Sequence, residues 1–144
     1  MGQWQEQILR EVQLPPALAN HPAMAPIYGS PTYIVHAILR RYAGWYDGNP
    51  SHLAPSPTTA IASEVVAVAG SAALLQRAQQ LTSEGNPQLA LHLLDFVIDG
   101  TKNADEKQQA LHLKSANLKQ LAAAETSYIS RSILSISAEQ IVGA

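Results

Sequence analysis

Histidine and carboxylate side chains are the first candidates for chemistry in this sequence, because they bind metal ions and move protons. The chain has no cysteine, and its histidines are His21, His36, His52, His92 and His112. A zinc site needs several nitrogen, oxygen or sulfur ligands at about 2 Å from the ion. No two of these histidines are separated by two or by four positions. The spacing therefore predicts no catalytic residues, no metal site and no bound cofactor.

Two further positions each leave a functional and a structural interpretation open. His92 and Asp95 lie three residues apart on the polar side of a predicted helix, with Asp99 one turn further on. They could hold a metal ion, or form a helix-surface pair that contributes a few tenths of a kcal/mol. Lys114 falls within the apolar arc of its own helix. It could pair with Asp95 or Asp99, or pack its stem on apolar neighbours with its ammonium in water.

The densest group of distinctive side chains lies between residues 28 and 50, which read YGSPTYIVHAILRRYAGWYDGNP. Ser30 followed by Pro31 predicts a helix start, with serine as the N-cap and proline at the first helical position. The Asp-Gly-Asn-Pro sequence then predicts a turn after a helix end near Tyr46. Between these limits, apolar residues recur at helical spacing: Ile34, Val35, Ile38, Tyr42 and Trp45.

The role of these side chains stays open on composition and spacing alone. Aromatic rings beside the arginine pair at 40–41 would suit an amphiphilic sulfate, with the rings on the alkyl tail and a guanidinium on the anion. Alternatively, Tyr42 and Trp45 are core residues, while Asp47 and Asn49 cap the turn. His36 either takes part in ligand binding or proton transfer, or is a packed, hydrogen-bonded side chain.

The same stretch resembles the dimerisation domain of the alkyl sulfatases, zinc enzymes of the metallo-β-lactamase superfamily. The matching features are Tyr-Gly at 28–29, His-Ala at 36–37 and the run at 42–50. The family has Arg where this chain has His36. The resemblance extends from about residue 12 to the last predicted helix. It implies an all-helical module that pairs two subunits. It also implies that, in the parent enzymes, the patch of Tyr28, Trp45, Tyr46, Asp47 and Asn49 lies near the subunit contact and the substrate entrance.

The resemblance also implies which residues belong to the family motif and have a role at a ligand or at an interface. They are Tyr28, Gly29, His36, Arg40, Arg41, Tyr42, Trp45, Tyr46, Asp47 and Asn49. The zinc motif of the parent enzymes, His-x-His-x-Asp-His, does not occur in this sequence. We therefore expect a homodimerisation module that is not an enzyme by itself. The alternatives are a module that binds a small amphiphile or alkyl sulfate, and an accessory subunit of a separate zinc-dependent alkyl sulfatase.

Composition favours an interaction protein. The chain has 144 residues, of which 47% are hydrophobic and 14% charged, whereas about a quarter is typical for charged residues. So little charge leaves apolar surface for a partner to cover. The net charge of −2 gives no reason to expect a nucleic-acid partner. No apolar run approaches the ~20 residues of a membrane span, and the N-terminus lacks the features of a secretory signal. A cytoplasmic location is therefore predicted.

Periodicity predicts an all-α protein of about six to seven helices. The chain is expected to form a single dimerisation-type domain over residues 1–144, with an N-terminal helix (1–13), a Pro-rich extended segment (14–30) and a helical bundle (31–144). Trp4, Ile8 and Val12 share one face of the N-terminal helix.

The predicted bundle consists of stacked antiparallel helical hairpins with a weak likeness to tetratricopeptide repeats. Its helix at 88–99 is apolar on most sides and is therefore expected to be the central core helix. Ser71 is expected to cap the helix that follows it, and residues 103–106 (Asn-Ala-Asp-Glu) resemble a capping box.

Overall fold

The computed structural model describes residues 5–143, with side chains described as far as Ile141. No strand occurs in this range, so the predicted all-α class is confirmed. The α-helices found there are α1 (Gln5–Glu11), α2 (Pro16–Ala19), α3 (Pro31–Tyr42), α4 (Thr58–Ala69), α5 (Ser71–Ser83), α6 (Pro87–Gly100), α7 (Ala104–Ala124) and α8 (Tyr128–Gly143). Trp4, expected on the face of the first helix, lies outside the described residues.

The Pro-rich segment differs from its prediction as an extended strip. It contains the short helix α2, which brings the count for residues 5–143 to eight α-helices, and a 3-10 turn at Pro22–Met24. Pro16 occupies the first helical position of α2, where a missing N–H costs nothing and the fixed φ suits a helix. Proline therefore starts a helical turn here instead of excluding one.

The chain divides into two compact units, which we describe separately. The first unit comprises the described residues up to Pro55 together with Thr126–Ile129. The second comprises Ser56–Glu125 and the described residues from Ser130 onward. The expectation of a single dimerisation-type domain stays a prediction.

Helix α6 is the centre of the second unit, as predicted from its apolar residues. It contacts α4, α5 and α7. Its residues Ala90, Leu94 and Val97 are fully buried among apolar side chains of α5 and α7. Burying a leucine or valine contributes about 1.5–3 kcal/mol relative to leaving it exposed. The second unit therefore has a hydrophobic core of its own.

The entry into α7 joins three elements of the second unit through one carboxylate. Asn103 Oδ1 accepts hydrogen bonds from the backbone N–H groups of Asp105, at 3.0 Å, and Glu106, at 3.3 Å, so Asn103 is the predicted N-cap. Glu106 does not close the capping box; its carboxylate accepts from the hydroxyls of Ser71 and Thr101. The expectation that Ser71 caps α5 is therefore wrong, because its hydroxyl is directed to Glu106 and Gly70 holds the cap position.

The junction of α4 and α5 is not an antiparallel hairpin, since the two helices meet at 94°. Gly70 lies between them with φ 82°, a left-handed conformation that glycine adopts at little cost. Within residues 5–143, no single helix has both the length and the apolar content of a membrane span. Only the bent pair of α4 and α5 has that length and apolar content when its two helices are taken together.

Gly100 allows a close approach of α6 to α4. A Cβ at this position would lie 2.4 Å from the carbonyl oxygen of Ala62 and 2.9 Å from a methyl carbon of Val66. The first of these neighbours is backbone and cannot rotate away. The last turn of α6 therefore packs against α4 at a distance that no other residue type permits.

We predict that Gly100→Ala lowers the free energy of unfolding by about 1–3 kcal/mol, the usual cost of overpacking. Chemical denaturation followed by circular dichroism measures this change. Gly29→Ala is the matched control, because no atom lies within 4 Å of its added Cβ, and we expect it to change stability little. Equal stability of the two variants would contradict the close packing of α6 on α4.

Candidate interaction surface

Helix α3 begins as its sequence predicts. Ser30 is the N-cap, its hydroxyl oxygen accepts a hydrogen bond from the backbone N–H of Tyr33 at 3.3 Å, and Pro31 follows at the first helical position. The helix ends at Tyr42, four residues before the expected end near Tyr46. Gly44 has φ 78° and carries the chain out of the helix. Trp45 therefore lies in the loop beyond α3.

One face of α3 is apolar and uncovered. Among the residues of α3, all of which the structure describes, Val35 is the only buried one. Ile34, Ile38 and Tyr42 are spaced by four residues, which places them on one face of the helix, and all are exposed. Tyr42 is 81% exposed and Trp45 is 75% exposed. The alternative that these two aromatic residues are core is therefore wrong for the chain by itself.

An apolar groove of about 630 Å³ lies beside this face, between α3 and the Pro-rich segment. Its walls include Leu14, Met24, Ile27, Tyr28, Ile34 and Ile38. None of the lining residues, all within the described part of the chain, is charged. The groove can therefore accept an apolar group but offers no counter-charge to an ion.

The Pro-rich wall of the groove is fixed by the segment at 126–129, which belongs to the same unit. The backbone N–H of Tyr128 donates to the carbonyl oxygen of Ile27 at 2.5 Å. The rings of Tyr28 and Tyr128 lie with their centroids 6.1 Å apart and are tilted by 55°, within the range of favourable aromatic pairs. These contacts fix the position of Ile27 and Tyr28 in the wall of the groove.

A polar turn follows the aromatic loop. One oxygen of Asp47 accepts from the backbone N–H of Asn49 at 2.9 Å, and the other pairs with Nδ1 of His52 at 2.5 Å. The amide oxygen of Asn49 accepts from the backbone N–H of Ser51 at 3.1 Å, and its nitrogen lies 3.2 Å from Nε2 of His52. Since that nitrogen can only donate, this contact is a hydrogen bond in the tautomer that carries its proton on Nδ1 and accepts at Nε2.

The turn holds its carboxylate ionised. The backbone hydrogen bond from Asn49 is the largest cause that lowers the pKa of Asp47 below its usual 3.8, followed by the hydrogen bond with His52. Hydrogen bonds to the charged form favour ionisation. The predicted role of Asp47 and Asn49 in capping the turn agrees with these contacts.

His52 was missed by the sequence reasoning, although it faces Asp47 directly. The available signal was its position just after the Asp-Gly-Asn-Pro turn, which folds the chain back on itself. Asp47, Asn49 and His52 also line a cleft of about 360 Å³ with residues of α1, among them Glu6. This cleft is separate from the groove in its lining residues.

The structure divides the predicted site residues among different places. Tyr28 and Gly29 line the groove, whereas neither Arg40 nor Arg41 does. The Arg41 guanidinium instead lies 5.9 Å from the centroid of the Tyr42 ring, a cation–π distance. The predicted combination of rings for a tail and guanidinium for a sulfate is therefore not assembled around the groove.

The remaining predicted residues lie at the edge of this surface. His36 is exposed, and its Nδ1 lies 3.5 Å from the side-chain nitrogen of Gln5 on α1. The rings of Trp45 and Tyr46 meet edge to face, with centroids 6.0 Å apart. Whether these residues take part in an interface or bind a ligand stays a prediction.

In the second unit, Lys114 pairs with an acid, one of the two alternatives left open. Its ammonium lies 2.5 Å from a carboxylate oxygen of Asp95. Within residues 5–143, no group of three or more His, Asp or Glu side chains could hold a metal ion.

Comparison with known proteins places these features in a family. The family described as alkyl sulfatase dimerisation matches residues 5–143. An alkyl/aryl-sulfatase of Saccharomyces cerevisiae is 29% identical over 121 residues, which are 83% of this chain and 18% of that protein. A linear primary-alkylsulfatase of a Pseudomonas strain is 30% identical over 95 residues, 65% of this chain and 18% of that protein. The chain thus spans about a fifth of the relatives it matches.

Solved structures have the same fold. A stereoselective inverting sec-alkylsulfatase from Pseudomonas sp. matches with a TM-score of 0.86 and 23% identity, over 97% of this chain and 22% of that one. A double mutant of a sec-alkyl sulfatase matches with a TM-score of 0.87 and 24% identity, over 98% of this chain and 22% of that one. At this level of identity the likeness concerns the fold alone.

We predict that the Asp47 carboxyl titrates below pH 3.8, its usual value. Because its pKa is lowered by folding, the stability that it adds to the turn is complete above that pH and is lost as the pH falls through the folded-state pKa. The carbon chemical shift of the carboxyl, followed by NMR over an acid titration, gives the midpoint.

Two variants separate the causes of this shift. Asn49→Pro removes the donating N–H and should move the midpoint of Asp47 up towards its usual value. His52→Ala removes the side-chain hydrogen bond and the charge interaction with His52 and should also move the midpoint of Asp47 up. A midpoint that neither variant moves would mean that the hydrogen bonds of the turn do not set the pKa of Asp47.

Proposed function

The chain belongs to the alkyl sulfatase dimerisation family, and from that membership we propose that it is a protein-interaction module that pairs with a second copy of itself. The observation that carries the proposal is the uncovered apolar face of α3 with the aromatic residues beyond it. Monomeric proteins rarely expose large continuous apolar patches, and those that occur usually mark interaction sites. A second copy would cover this face and remove it from water.

We further propose that these residues do not catalyse sulfate ester hydrolysis by themselves. The relatives named above are sulfatases several times longer than this chain. The converging ligands that zinc requires are not found among residues 5–143. A separate zinc-dependent alkyl sulfatase is the alternative partner for the same face. The cytoplasmic location stays a prediction from the N-terminal sequence.

A second candidate function is favoured by the groove itself. Its apolar walls and its volume of about 630 Å³ fall within the range of small-molecule sites. A small amphiphile, such as an alkyl sulfate or a fatty acid, would place its chain there. Since no charged side chain lines the groove, the anionic head would remain in solvent, and the two classes of ligand should bind alike.

We predict that Ile38→Glu weakens the homodimer at least tenfold. Burial of an isoleucine side chain contributes about 1.5–3 kcal/mol, and each 1.4 kcal/mol is tenfold in affinity. Multi-angle light scattering after gel filtration, over a dilution series from micromolar to sub-millimolar protein, measures the change. Ile136→Glu is the matched control on α8, because the two residues are 51% and 54% exposed.

The outcomes separate the location of the interface from its existence. A wild-type chain that is monomeric at every concentration would overturn the homodimer. Dissociation by Ile136→Glu, with Ile38→Glu without effect, would move the interface to α8. Circular dichroism of both variants checks that neither change unfolds the protein.

For the second candidate, we predict that titration calorimetry detects binding of alkyl sulfates and fatty acids below their micelle concentrations. Ile34→Asp should abolish this heat, because it places a charge in the wall of the groove. Ile133→Asp on α8 should not, although the two residues are similarly exposed, at 61% and 58%. No heat with any amphiphile would exclude the groove as a ligand site.

A further inference from the structure

Building on the proposed homodimer, we propose that the aromatic end of α3 in each copy fills the apolar groove of the other copy. Tyr42 and Trp45 form the protruding half of this contact, and the groove beside α3 forms the receiving half. Both halves belong to the first unit. A chain that carries a projection and a matching recess forms two identical contacts when two copies are related by a two-fold axis.

The spacing along α3 fits a contact with its two-fold axis at Ile38. Ile34 and Ile38 line the groove, and Tyr42 continues the same face one turn further. At a rise of 1.5 Å per residue, Ile34 and Tyr42 are separated by about 12 Å along the helix. A two-fold axis through Ile38 therefore places Tyr42 of one copy opposite Ile34 of the second. Trp45, beyond the helix end, then reaches the Pro-rich wall.

The exposed rings supply a large part of the area that a stable pair needs. Tyr28, Tyr42 and Trp45 are each about three-quarters exposed, and an aromatic side chain buries 150–250 Å² when it is fully covered. These three rings therefore offer roughly 350–550 Å² per copy. A standard interface needs about 800 Å² per partner. The half-exposed isoleucines at 27, 34 and 38 lie on the same surface and add to this area.

Each protruding ring has a neighbouring side chain within its own copy. Trp45 rests edge-on against Tyr46, and Arg41 lies over the ring of Tyr42. Ordering a side chain at an interface costs about 0.5–1.5 kcal/mol, and these contacts reduce that cost. Tryptophan and tyrosine are also the residues that most often dominate binding energy at interfaces. Two such rings, ordered and exposed, are suited to an apolar recess.

The lining of the groove favours a ring over a charged ligand. It contains no acidic or basic side chain among its described residues, so an ion would lose its hydration there without a partner. A tyrosine or tryptophan loses little, because its body is apolar and its polar atom can stay at the wet edge. The second copy of this chain therefore matches the chemistry of the groove.

The test uses Trp45 as its own reporter. The chain has two tryptophans, at positions 4 and 45, so Trp4→Phe leaves Trp45 as the single emitter. We expect its fluorescence to shift to shorter wavelength as the concentration rises, with the same midpoint as dimerisation measured by light scattering. Trp45→Ala should weaken the dimer about tenfold, the usual loss for an interface hot spot. Leu53→Ala, at an exposed residue outside the groove lining, should not.

A second measurement tests the axis directly. The chain has no cysteine, so Ile38→Cys introduces a single thiol. If the two-fold axis passes through this position, a short bifunctional maleimide joins two copies at Ile38→Cys. The same reagent should not join two copies of Ile136→Cys.

The outcomes distinguish this inference from the proposed function on which it rests. A dimer in which Trp45 keeps its monomer emission and Ile38→Cys does not cross-link would overturn the groove contact while leaving dimerisation intact. A chain that stays monomeric throughout the dilution series would overturn both.

Discussion

The described residues of the first unit leave most of their large apolar side chains exposed, and the proposed interaction depends on this uncovered surface. Val35 is the only buried apolar side chain among the described residues of that unit. The helix that carries it is amphipathic, yet the apolar side chains Ile34, Ile38 and Tyr42 on its outer face stay at least half exposed. Because apolar burial contributes about 25 cal/mol per Å², a partner that covers this face would gain free energy of association.

The second unit is organised in the opposite way. Helix α6 is enclosed by α4, α5 and α7, and Gly100 removes the last side chain that would keep α6 and α4 apart. Polar contacts also stabilise this unit. The carboxylate of Glu106 accepts hydrogen bonds from two hydroxyls, and Lys114 forms an ion pair with Asp95. One unit therefore satisfies its own core, while the other presents its apolar residues outward.

The sequence predicted the positions of the helices better than it predicted which of their faces are buried. The helical class, the start of α3 at Ser30 and the central place of α6 followed from spacing and cap residues, which act over a few positions. The exposure of Tyr42 and Trp45 could not be predicted from the sequence, because periodicity identifies an apolar face but does not show what packs against it. His52 was missed for a related reason: its pairing with Asp47 depends on how the turn closes. The groove depends on the path of the Pro-rich segment, where Pro16 starts a helical turn that composition alone did not indicate.

The outward face of α3 also bears on the fate of the chain inside a cell. Under the proposed pairing, a copy that has not yet met a second one keeps the apolar face of α3 in water, where chaperones and proteases that act on exposed apolar surface can reach it. Its lifetime is then tied to how soon it meets its counterpart. The protein level would rise more than proportionally with the rate of synthesis. At low concentration, most copies would be degraded before they form a pair.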